Sequence, residues 1–236
     1  MDRVVVFGNG GFAELICFHL THDSPYEVAG FTVDAKYMGA RKVLGLPVVP
    51  FEDVEAVFPA RNHKMIVSIS FQRLNHLREA KYREAKTKGY ELINYVSSRA
   101  TTWPDLTIGD NCVILESAVI SPFAKIGSNV IVTSGAIVGH HSRLRDHCFI
   151  SPGAVILGGA TIDEYCLVGA NATVKEEVTV SRECLIGSGV SITKDTQQKG
   201  VYLSPAPQLH AKRSDELRTW LTWPVRAKSS VDIQSS

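Results

Sequence analysis

The sequence predicts a small Rossmann-like α/β domain with a parallel sheet, followed by a left-handed parallel β-helix. Three observations support this fold class. Strand and helix patterns alternate over roughly the first 95 residues. A six-residue repeat then runs without interruption from Ile108 to Ile192. After Ile192 the repeat stops, residues 201–207 predict a closing strand and turn, residues 214–221 predict a short helix, and the residues from about 226 are polar. The expected parts are therefore an α/β domain at 1–95, a β-helix at 96–207, and a C-terminal helix and tail at 208–236.

Strands and helices of the predicted α/β domain alternate along the chain. Apolar runs bounded by turn residues indicate the strands, and apolar residues at helical spacing indicate the helices. The predicted strands are 4–7, 28–33, 65–69 and 91–95, and the predicted helices are 12–22, 51–58 and 74–88. Such an alternation favours parallel strands in one sheet with helices packed on it.

A glycine-rich turn joins the first strand to the first helix. Gly8, Gly10 and Gly11 lie where the free N–H groups of a helix N-terminus can bind a phosphate. Asp34 follows the second strand, a place where an acidic residue often contacts a ribose or a base. The full GxGxxG spacing is missing, so two alternatives stay open. The glycines can simply form a turn, and Asp34 can be a solvated loop carboxylate.

The repeat predicts the β-helix directly. Every sixth residue from Ile108 to Ile192 is Ile, Val or Leu, and the fifth position of each block is Ala, Val, Ser or Cys. A period of six fits neither a helix nor a simple strand, but it fits a short strand followed by a turn. Three strands close a triangular coil of eighteen residues, which buries its apolar side chains by stacking on neighbouring coils. Glycines at the second position are expected to serve turns with unusual backbone angles. They are Gly109, Gly127, Gly139, Gly169 and Gly187.

Four of the five cysteines fall within the repeat. Cys112, Cys148, Cys166 and Cys184 all occupy fifth positions, and the chain has no CxxC pair. Free cysteine behaves as a small apolar residue in protein cores. We therefore expect these side chains to fill the β-helix interior rather than to bind metal or form disulfides.

His140 and Gly158 form the candidate catalytic pair. They are eighteen residues apart, so the coil places them on adjacent rungs at roughly the 4.8 Å spacing of neighbouring strands. A neutral imidazole accepts a proton near pH 7, and a bare glycine N–H can approach a developing oxyanion. The pair therefore suits acyl transfer from a thioester to an amine. The alternative is that His140 is an ordinary surface histidine.

The composition excludes several classes of protein. A formal net charge of +1 provides no strong field for nucleic acid or an anionic membrane. No apolar run approaches the roughly 20 residues that cross a bilayer, so no membrane insertion is expected. The short apolar run at the start leads into a glycine turn and does not resemble a signal peptide. We expect a cytoplasmic protein.

The chain resembles the PglD/NeuD-type nucleotide-sugar N-acetyltransferases of the left-handed β-helix (hexapeptide repeat) superfamily. The resemblance covers roughly residues 2–207 and includes the α/β domain and the unbroken repeats. Its motifs are Gly-Asn-Gly-Gly at 8–11, Val-Gly-His at 138–140, Ile-Ser-Pro-Gly-Ala at 150–154, Val-Gly-Ala-Asn-Ala at 168–172, Lys-Gly-Val-Tyr at 199–202 and Pro-Ala at 205–206.

The resemblance implies an acetyl-CoA-dependent enzyme of glycan or O-antigen biosynthesis that needs no metal. Its acceptor would be the amino group of a UDP-, dTDP- or GDP-linked amino-deoxysugar. The enzyme would be a homotrimer with active sites between neighbouring subunits. His140 matches the general base, and Gly158 matches the amide that contacts the acetyl oxygen. The matching substrate positions are Gly8, Gly10, Gly11, Asp34 and His141, and the matching CoA positions are Gly158, Gly169, Ala170 and Pro205.

Two positions depart from the family pattern near the acceptor sugar. His141 stands where several members have an acidic residue, and Phe149 stands where several have a histidine. His147 or Asp146 from the next block could then orient His140 instead.

Other functions fit the same fold. One is O-acetyl transfer to a sialic-acid-like sugar, because the same histidine can deprotonate a hydroxyl. Another is a zinc enzyme similar to γ-carbonic anhydrases, with His141 and His147 as ligands. The last is a trimeric scaffold without catalytic activity.

Overall fold

The computed structural model describes residues 2–206, 209 and 211. Residues Met1–Ser204 form one compact unit, and Pro205–Ser236 form a second. The α/β domain and the β-helix described below both belong to the first unit. The predicted helix at 214–221 and the tail beyond 226 lie outside the described residues.

The α/β domain contains one sheet of five strands, which are β1 Arg3–Phe7, β2 Glu27–Val33, β3 Lys42–Val43, β4 Leu46–Pro50 and β5 His63–Val67. Their order in the sheet is β3-β4-β2-β1-β5. The four strands β4, β2, β1 and β5 are parallel, and β3 pairs antiparallel with β4. A short 3₁₀ turn, Phe51–Asp53, precedes the second helix. The helices of the domain are α1 Gly11–His22, α2 Val54–Val57 and α3 His76–Thr87.

Three parts of this domain differ from the prediction. Strand β3, which is two residues long and pairs antiparallel with β4, was not predicted. Strand β4 was not predicted, because Pro47 and Pro50 interrupt the strand pattern at its two ends. The predicted strand at 91–95 is wrong. Leu92 makes only an isolated bridge to Met65, and the next strand, Tyr95–Val96, already belongs to the β-helix. Burial of the side chains in this connecting segment produces an apolar pattern without a strand.

The predicted β-helix is confirmed. Two-residue strands pair in parallel with the strand eighteen residues further on, and they stack into three sheets. The domain-facing sheet contains Tyr95–Val96, Val113–Ile114, Ile131–Val132, Phe149–Ile150, Leu167–Val168, Leu185–Ile186 and Val201–Tyr202. The apolar sheet contains Val119–Ile120, Ile137–Val138, Val155–Ile156, Thr173–Val174 and Ser191–Ile192. The polar sheet contains Thr107–Ile108, Lys125–Ile126, Arg143–Leu144, Thr161–Ile162 and Thr179–Val180.

The second to fourth positions of each repeat form the three corners of the prism. The histidine corner lies between the apolar and polar sheets and carries His140 and His141. The glycine corner lies between the domain-facing and apolar sheets and carries Gly169 and Ala170. The α3 corner lies between the polar and domain-facing sheets and carries His147. These positions follow from the strand bounds and the eighteen-residue register.

The interior of the β-helix follows the repeat. The first- and fifth-position side chains form one continuous buried cluster from Cys112 to Ile192. The four cysteines of the repeat are free and buried, as expected. Ser142 is the one fifth-position residue with a hydroxyl, and it donates to the Leu157 carbonyl at 2.9 Å. The buried hydroxyl is thereby satisfied inside an apolar core.

Positive φ angles occur at a different repeat position from the one expected. The second-position glycines avoid a clash instead, because a Cβ on Gly139 would lie 2.7 Å from the nitrogen of Gly158, and one on Gly169 2.6 Å from the nitrogen of Ser188. The left-handed residues are at the fourth position. They are Asn111, Ser117, Phe123, Asn129, Gly135, His141, His147, Gly153, Gly159, Tyr165, Asn171, Glu177, Glu183 and Gly189.

The α/β domain packs on the outer side of the domain-facing sheet. Val113, Ile131 and Phe149 of that sheet share one buried cluster with Ile16 and Leu20 of α1. Burial of these apolar side chains stabilises the contact by roughly 25 cal/mol per Å² removed from water. Within the described part of the chain, no helix is long and apolar enough to cross a bilayer.

Candidate active site

The imidazole of His140 lies directly over Gly158 on the next rung. A Cβ placed on Gly158 would be 2.6 Å from Cε1 and 2.7 Å from Nε2 of His140, so the ring occupies the space that a side chain would take. The Gly159 N–H donates to the His140 carbonyl at 2.8 Å, which fixes the two corners in register. The predicted adjacency of His140 and Gly158 is therefore present, and it requires glycine at position 158.

The backbone N–H of Gly158 is available for a ligand. Over residues 2–206 it donates no hydrogen bond, whereas its carbonyl accepts one from the Glu177 N–H at 3.1 Å. The comparable N–H of Ser128 at the α3 corner donates to the carboxylate of Asp146 at 2.8 Å. A free, partly exposed N–H beside an imidazole can bind an oxygen that gains negative charge.

His141 contacts the ring of His140. The two Nδ1 atoms are 3.1 Å apart, and the rings are nearly perpendicular. His141 has a φ of +60° and packs its ring 4.8 Å from the ring of Phe123 on the preceding rung. His141 is thus the described residue whose side chain lies within hydrogen-bond distance of the His140 imidazole.

His147 lies at the α3 corner, away from His140. It is buried, and its Nδ1 lies 2.9 Å from the side-chain nitrogen of Asn129, which donates to it. Burial lowers the pKa of His147 to about 4, so the ring is neutral near pH 7. The possibility that His147 or Asp146 orients His140 is wrong, because both belong to this other corner.

The zinc alternative has no ligand set among residues 2–206, 209 and 211. His141 and His147 lie at different corners, because a separation of six residues advances the chain by one face. No group of three or more His, Cys, Asp or Glu side chains is arranged to hold a metal ion in this part of the chain. Zinc sites in enzymes use at least three protein ligands.

The predicted nucleotide-binding residues line one cavity of about 560 Å³ in the α/β domain. Gly8, Gly10, Gly11 and Asp34 all contribute to its wall. Gly10 is the N-cap of α1 and has no side chain that could accept a hydrogen bond. The N–H groups in the first turn of this helix therefore face the cavity without a side-chain acceptor. Gly8 has a φ of +127°, and a Cβ there would lie 3.1 Å from the carbonyl oxygen of Ser68, so both its angle and its position require glycine.

Asp34 is not a solvated loop carboxylate. It is 9% exposed, and its Oδ1 lies 2.7 Å from Nζ of Lys81, a residue of α3 that also lines the cavity. Lys81 contacts Glu84 as well, at 2.8 Å. Burial alone lowers the pKa of an ammonium, but the hydrogen bonds that Lys81 donates to Asp34 and Glu84 outweigh it and raise the pKa of Lys81. The wall of the cavity therefore includes both an ion pair and the N-terminal turn of α1.

The predicted CoA residues Gly169 and Ala170 line a second cavity, a groove of about 700 Å³. This groove runs between the first turn of α1 and the domain-facing sheet. It shares Gly11, Phe12 and Ser70 with the nucleotide cavity, so the two spaces are contiguous. Pro205 is exposed and belongs to the second unit, which begins at that residue.

Within one chain, the predicted site residues form two separate groups. His140, His141 and Gly158 lie at the histidine corner. The glycines of the α/β domain lie with Gly169 and Ala170 near the glycine corner. The apolar sheet separates these two corners.

Comparison with known proteins assigns the chain to a family. The profile of the GMPPB C-terminal domain family matches residues 98–217, more than half of the chain. The chain belongs to the GMPPB C-terminal domain family. No curated protein sequence matches the chain.

Solved structures similar to this member of the family are sugar N-acetyltransferases and related proteins. PerB, a GDP-perosamine N-acetyltransferase from Caulobacter crescentus in complex with CoA and GDP-perosamine, has a TM-score of 0.76 and 25% sequence identity; the match covers 85% of this chain and 93% of that one. The acetyltransferase domain of PglB from Neisseria gonorrhoeae, with acetyl coenzyme A, has a TM-score of 0.75, 23% identity and coverage of 85% and 95%. WeeI from Acinetobacter baumannii has a TM-score of 0.74, 18% identity and coverage of 85% and 96%.

These similarities confirm the resemblance predicted from the motifs. This member of the family is an acyltransferase built on the left-handed β-helix. At 23% and 18% identity, the PglB domain and WeeI support the fold alone. PerB supports the class of enzyme as well.

Sequence reasoning missed the part of the site that α3 contributes. Lys81 reaches the nucleotide cavity, and Arg78 is buried between α3 and the β-helix. One signal was available, because these two cations are three residues apart and therefore lie on the same face of the predicted helix. Phe71, in the loop before α3, lines the groove and carried no such signal.

Proposed function

We propose that the protein transfers the acetyl group of acetyl-CoA to the amino group of a nucleotide-linked amino-deoxysugar, with His140 as general base. The nucleotide would be UDP, dTDP or GDP. The observation that carries this proposal is the His140 ring lying over Gly158, whose N–H donates no hydrogen bond within residues 2–206. PerB, which shares the fold and 25% of the sequence, acts on GDP-perosamine and binds CoA.

His140 and Gly158 have complementary roles in the proposed reaction. Acetyl-CoA supplies the acetyl group as a thioester. His140 removes the proton from the sugar amine as its nitrogen forms the new C–N bond. The Gly158 N–H donates to the acetyl oxygen, where negative charge develops. His140 then gives the proton to the CoA sulfur as the C–S bond breaks, so that the imidazole returns to its neutral form.

The α/β domain is proposed to hold the nucleotide. The N–H groups of the first turn of α1 suit a diphosphate, and Gly8, Gly10 and Gly11 leave room for it to approach the backbone. Asp34 and Lys81 also line the cavity, and the nucleoside would contact them. The sugar would then extend into the contiguous groove, toward Gly169 and Ala170.

A homotrimer would complete the site. The outer side chains of the apolar sheet include Val119, Ile137 and Val155, and Ile137 is 39% exposed in the single chain. An apolar face of this kind is typical of a protein–protein contact. Packing through it would bring the histidine corner of one copy beside the glycine corner of the next. The proposal therefore includes sites between subunits, with CoA lying along Gly158, Gly169 and Ala170.

An acceptor panel tests the proposed function. GDP-perosamine and UDP- and dTDP-linked 4-amino-4,6-dideoxyhexoses are each incubated with acetyl-CoA, alongside matched acceptors that carry a hydroxyl in place of the amine. Mass spectrometry is expected to show a gain of one acetyl group on an amino acceptor. The variant His140→Ala is expected to be slower by about 100-fold or more. Acetylation of the hydroxyl acceptors alone would instead support the O-acetyltransferase.

Sedimentation tests the assembly separately. The proposal predicts a particle of three times the chain mass of 25.8 kDa. Ile137→Glu places a charge on the apolar sheet and is expected to yield monomers that lack activity. A cytoplasmic location remains part of the proposal.

A further inference from the structure

The loop between β5 and α3 contains a run of left-handed residues. Arg73, Leu74 and Asn75 have φ angles of +50°, +50° and +69°. Each such residue costs on the order of 1 kcal/mol unless it is glycine. Three in succession are found only where surrounding contacts hold the backbone, and such strain often marks a functional segment.

Arg78 supplies those contacts. Its guanidinium is fully buried, and burial lowers its pKa. All of its acceptors are neutral oxygens, and they come from two sides. On the loop they are the carbonyls of Ile69 and Ser70 and the side-chain oxygen of Asn75; on the β-helix they are the carbonyls of Asn129, His147 and Cys148. Arg78 therefore ties the loop to the α3 corner.

Asn75 makes a second connection. Its side-chain nitrogen donates to the carbonyls of Tyr165 at 3.1 Å and Cys166 at 3.2 Å. Asn75 itself is fully buried, and asparagine tolerates the left-handed region better than most residues. The loop is thus held at both Ile69–Ser70 and Asn75, with Phe71 and Gln72 between the two anchor points.

The anchored loop presents Phe71 to the groove. The Phe71 ring is 49% exposed and stands edge-to-face on Phe149, with ring centroids 5.2 Å apart. Phe149 is 5% exposed and belongs to the domain-facing sheet. Ser70, one residue before Phe71, lines both the nucleotide cavity and the groove. Phe71 therefore lies in the groove, next in sequence to a residue that the groove shares with the nucleotide cavity.

We propose that Phe71, backed by Phe149, is a specificity-determining residue that packs against the sugar of the acceptor, and that Arg78 is the positioning residue that holds it there. The inference rests on the proposed function and adds a substrate class to it. The acceptor is a sugar without a negative charge that presents an apolar C–H face to the aromatic ring.

The chemistry of the groove supports an uncharged sugar. None of the described residues that line it is a Lys, Arg, Asp, Glu or His. A sugar carboxylate would lose its hydration there without gaining a cation, which is costly. An amine in the same place is favoured in its neutral form, because desolvation opposes the ammonium. The neutral amine is the form that can attack a thioester.

Steady-state kinetics of three variants tests the inference. Phe71→Ala removes the ring, Phe71→Tyr keeps it, and Phe18→Ala removes an aromatic side chain of α1 that is 54% exposed outside the groove. Phe71→Ala is expected to raise the KM for the amino-sugar acceptor about tenfold or more, as loss of a buried aromatic contact does. Phe71→Tyr and Phe18→Ala are expected to stay within about twofold of the original protein.

Two further measurements separate a sugar contact from general damage. The Kd of GDP and UDP alone, measured by calorimetry, and the KM for acetyl-CoA are expected to change less than twofold in Phe71→Ala. Equal weakening of the nucleotide and of the nucleotide sugar would overturn the role of Phe71, as would an unchanged acceptor KM. If the original protein acetylates none of the amino sugars, the proposed function fails, and this inference fails with it.

Arg78→Lys tests the positioning role. Lysine keeps the charge but cannot reach carbonyls on both sides with one planar group. The acceptor KM is expected to rise about fivefold or more, while the KM for acetyl-CoA stays within about twofold. A variant that loses stability but keeps the acceptor KM would show that Arg78 acts on the fold alone.

Discussion

Nδ1 of His140 lies 3.1 Å from Nδ1 of His141, so two imidazoles share a single hydrogen bond. When both rings are neutral, one Nδ1 must donate and the other must accept. If His140 donates, its Nε2 keeps the lone pair and can accept a proton. His141 would then perform the orienting role that a carboxylate performs in many catalytic histidine pairs.

Variants of His141 should distinguish its role in orienting the His140 ring from the energetic cost of placing a new residue in the left-handed backbone at position 141. Asparagine offers an acceptor oxygen and tolerates the φ of +60°, so His141→Asn is expected to keep kcat within about threefold. His141→Leu has no acceptor and is expected to lower kcat about tenfold, with the KM for acetyl-CoA nearly unchanged. Glu177→Leu is the matched control, because Glu177 has a φ of +61° at the same corner. Equal kcat values for the Asn and Leu variants would exclude an orienting role.

Gly158 offers a direct test of the ring-over-glycine arrangement. An alanine methyl at this position would lie 2.6 Å from Cε1 of His140, so the imidazole must move away. Gly158→Ala is expected to lower kcat by about 100-fold or more, because displacing a general base removes most of its contribution. Circular dichroism should stay unchanged. Gly39→Ala is the control, since its Cβ meets no atom within 4 Å and its activity should equal that of the original protein.

The β-helix and the His140–Gly158 pair could be predicted because both depend only on spacing. A repeat of six places every sixth side chain inside the coil, and a separation of eighteen places two residues on adjacent rungs. The same rule argues against the zinc alternative. His141 and His147 occupy equivalent repeat positions, but six residues advance the chain by one face, so they lie at different corners of one chain.

Contacts between α3 and the rest of the molecule could not be predicted. The Lys81–Asp34 pair joins residues 47 positions apart, and Arg78 reaches carbonyls 51 to 70 positions away. No local period encodes such contacts, because they depend on how α3 packs. The second-position glycines were misinterpreted for a related reason. Their need for glycine comes from the neighbouring rung and not from their own φ angles.

His147 should make stability depend on pH in the acid range. Its pKa is lowered from 6.5 to about 4 by burial, so the folded state favours the neutral ring. The contribution of the neutral His147 ring to the free energy of unfolding is fully present above pH 6.5, and it is lost as the pH falls toward 4. It amounts to about 3 kcal/mol, or roughly 5–10 °C in Tm for a chain of this size.

His147→Asn removes the titrating ring and keeps a residue suited to the left-handed backbone there. Between pH 7 and pH 4, the Tm of the variant is expected to fall by less than the Tm of the original protein. The difference between the two decreases should be most of the roughly 5–10 °C that protonation of His147 costs. Carboxylates that titrate in the same range affect both proteins equally and cancel in the comparison. Parallel Tm curves over this range would contradict the assignment.

The Asp34–Lys81 ion pair should behave as a coupled unit. Lys81→Met leaves a carboxylate that is 9% exposed without its ammonium partner and is expected to lower the free energy of unfolding by about 3 kcal/mol. Asp34→Asn should cost less, because Lys81 keeps its contact with Glu84. The double variant is expected to be more stable than Lys81→Met alone by about 1–2 kcal/mol, since no unpaired charge remains. Urea titrations of the four proteins give this coupling energy, and strictly additive losses would mean that the two charges do not interact.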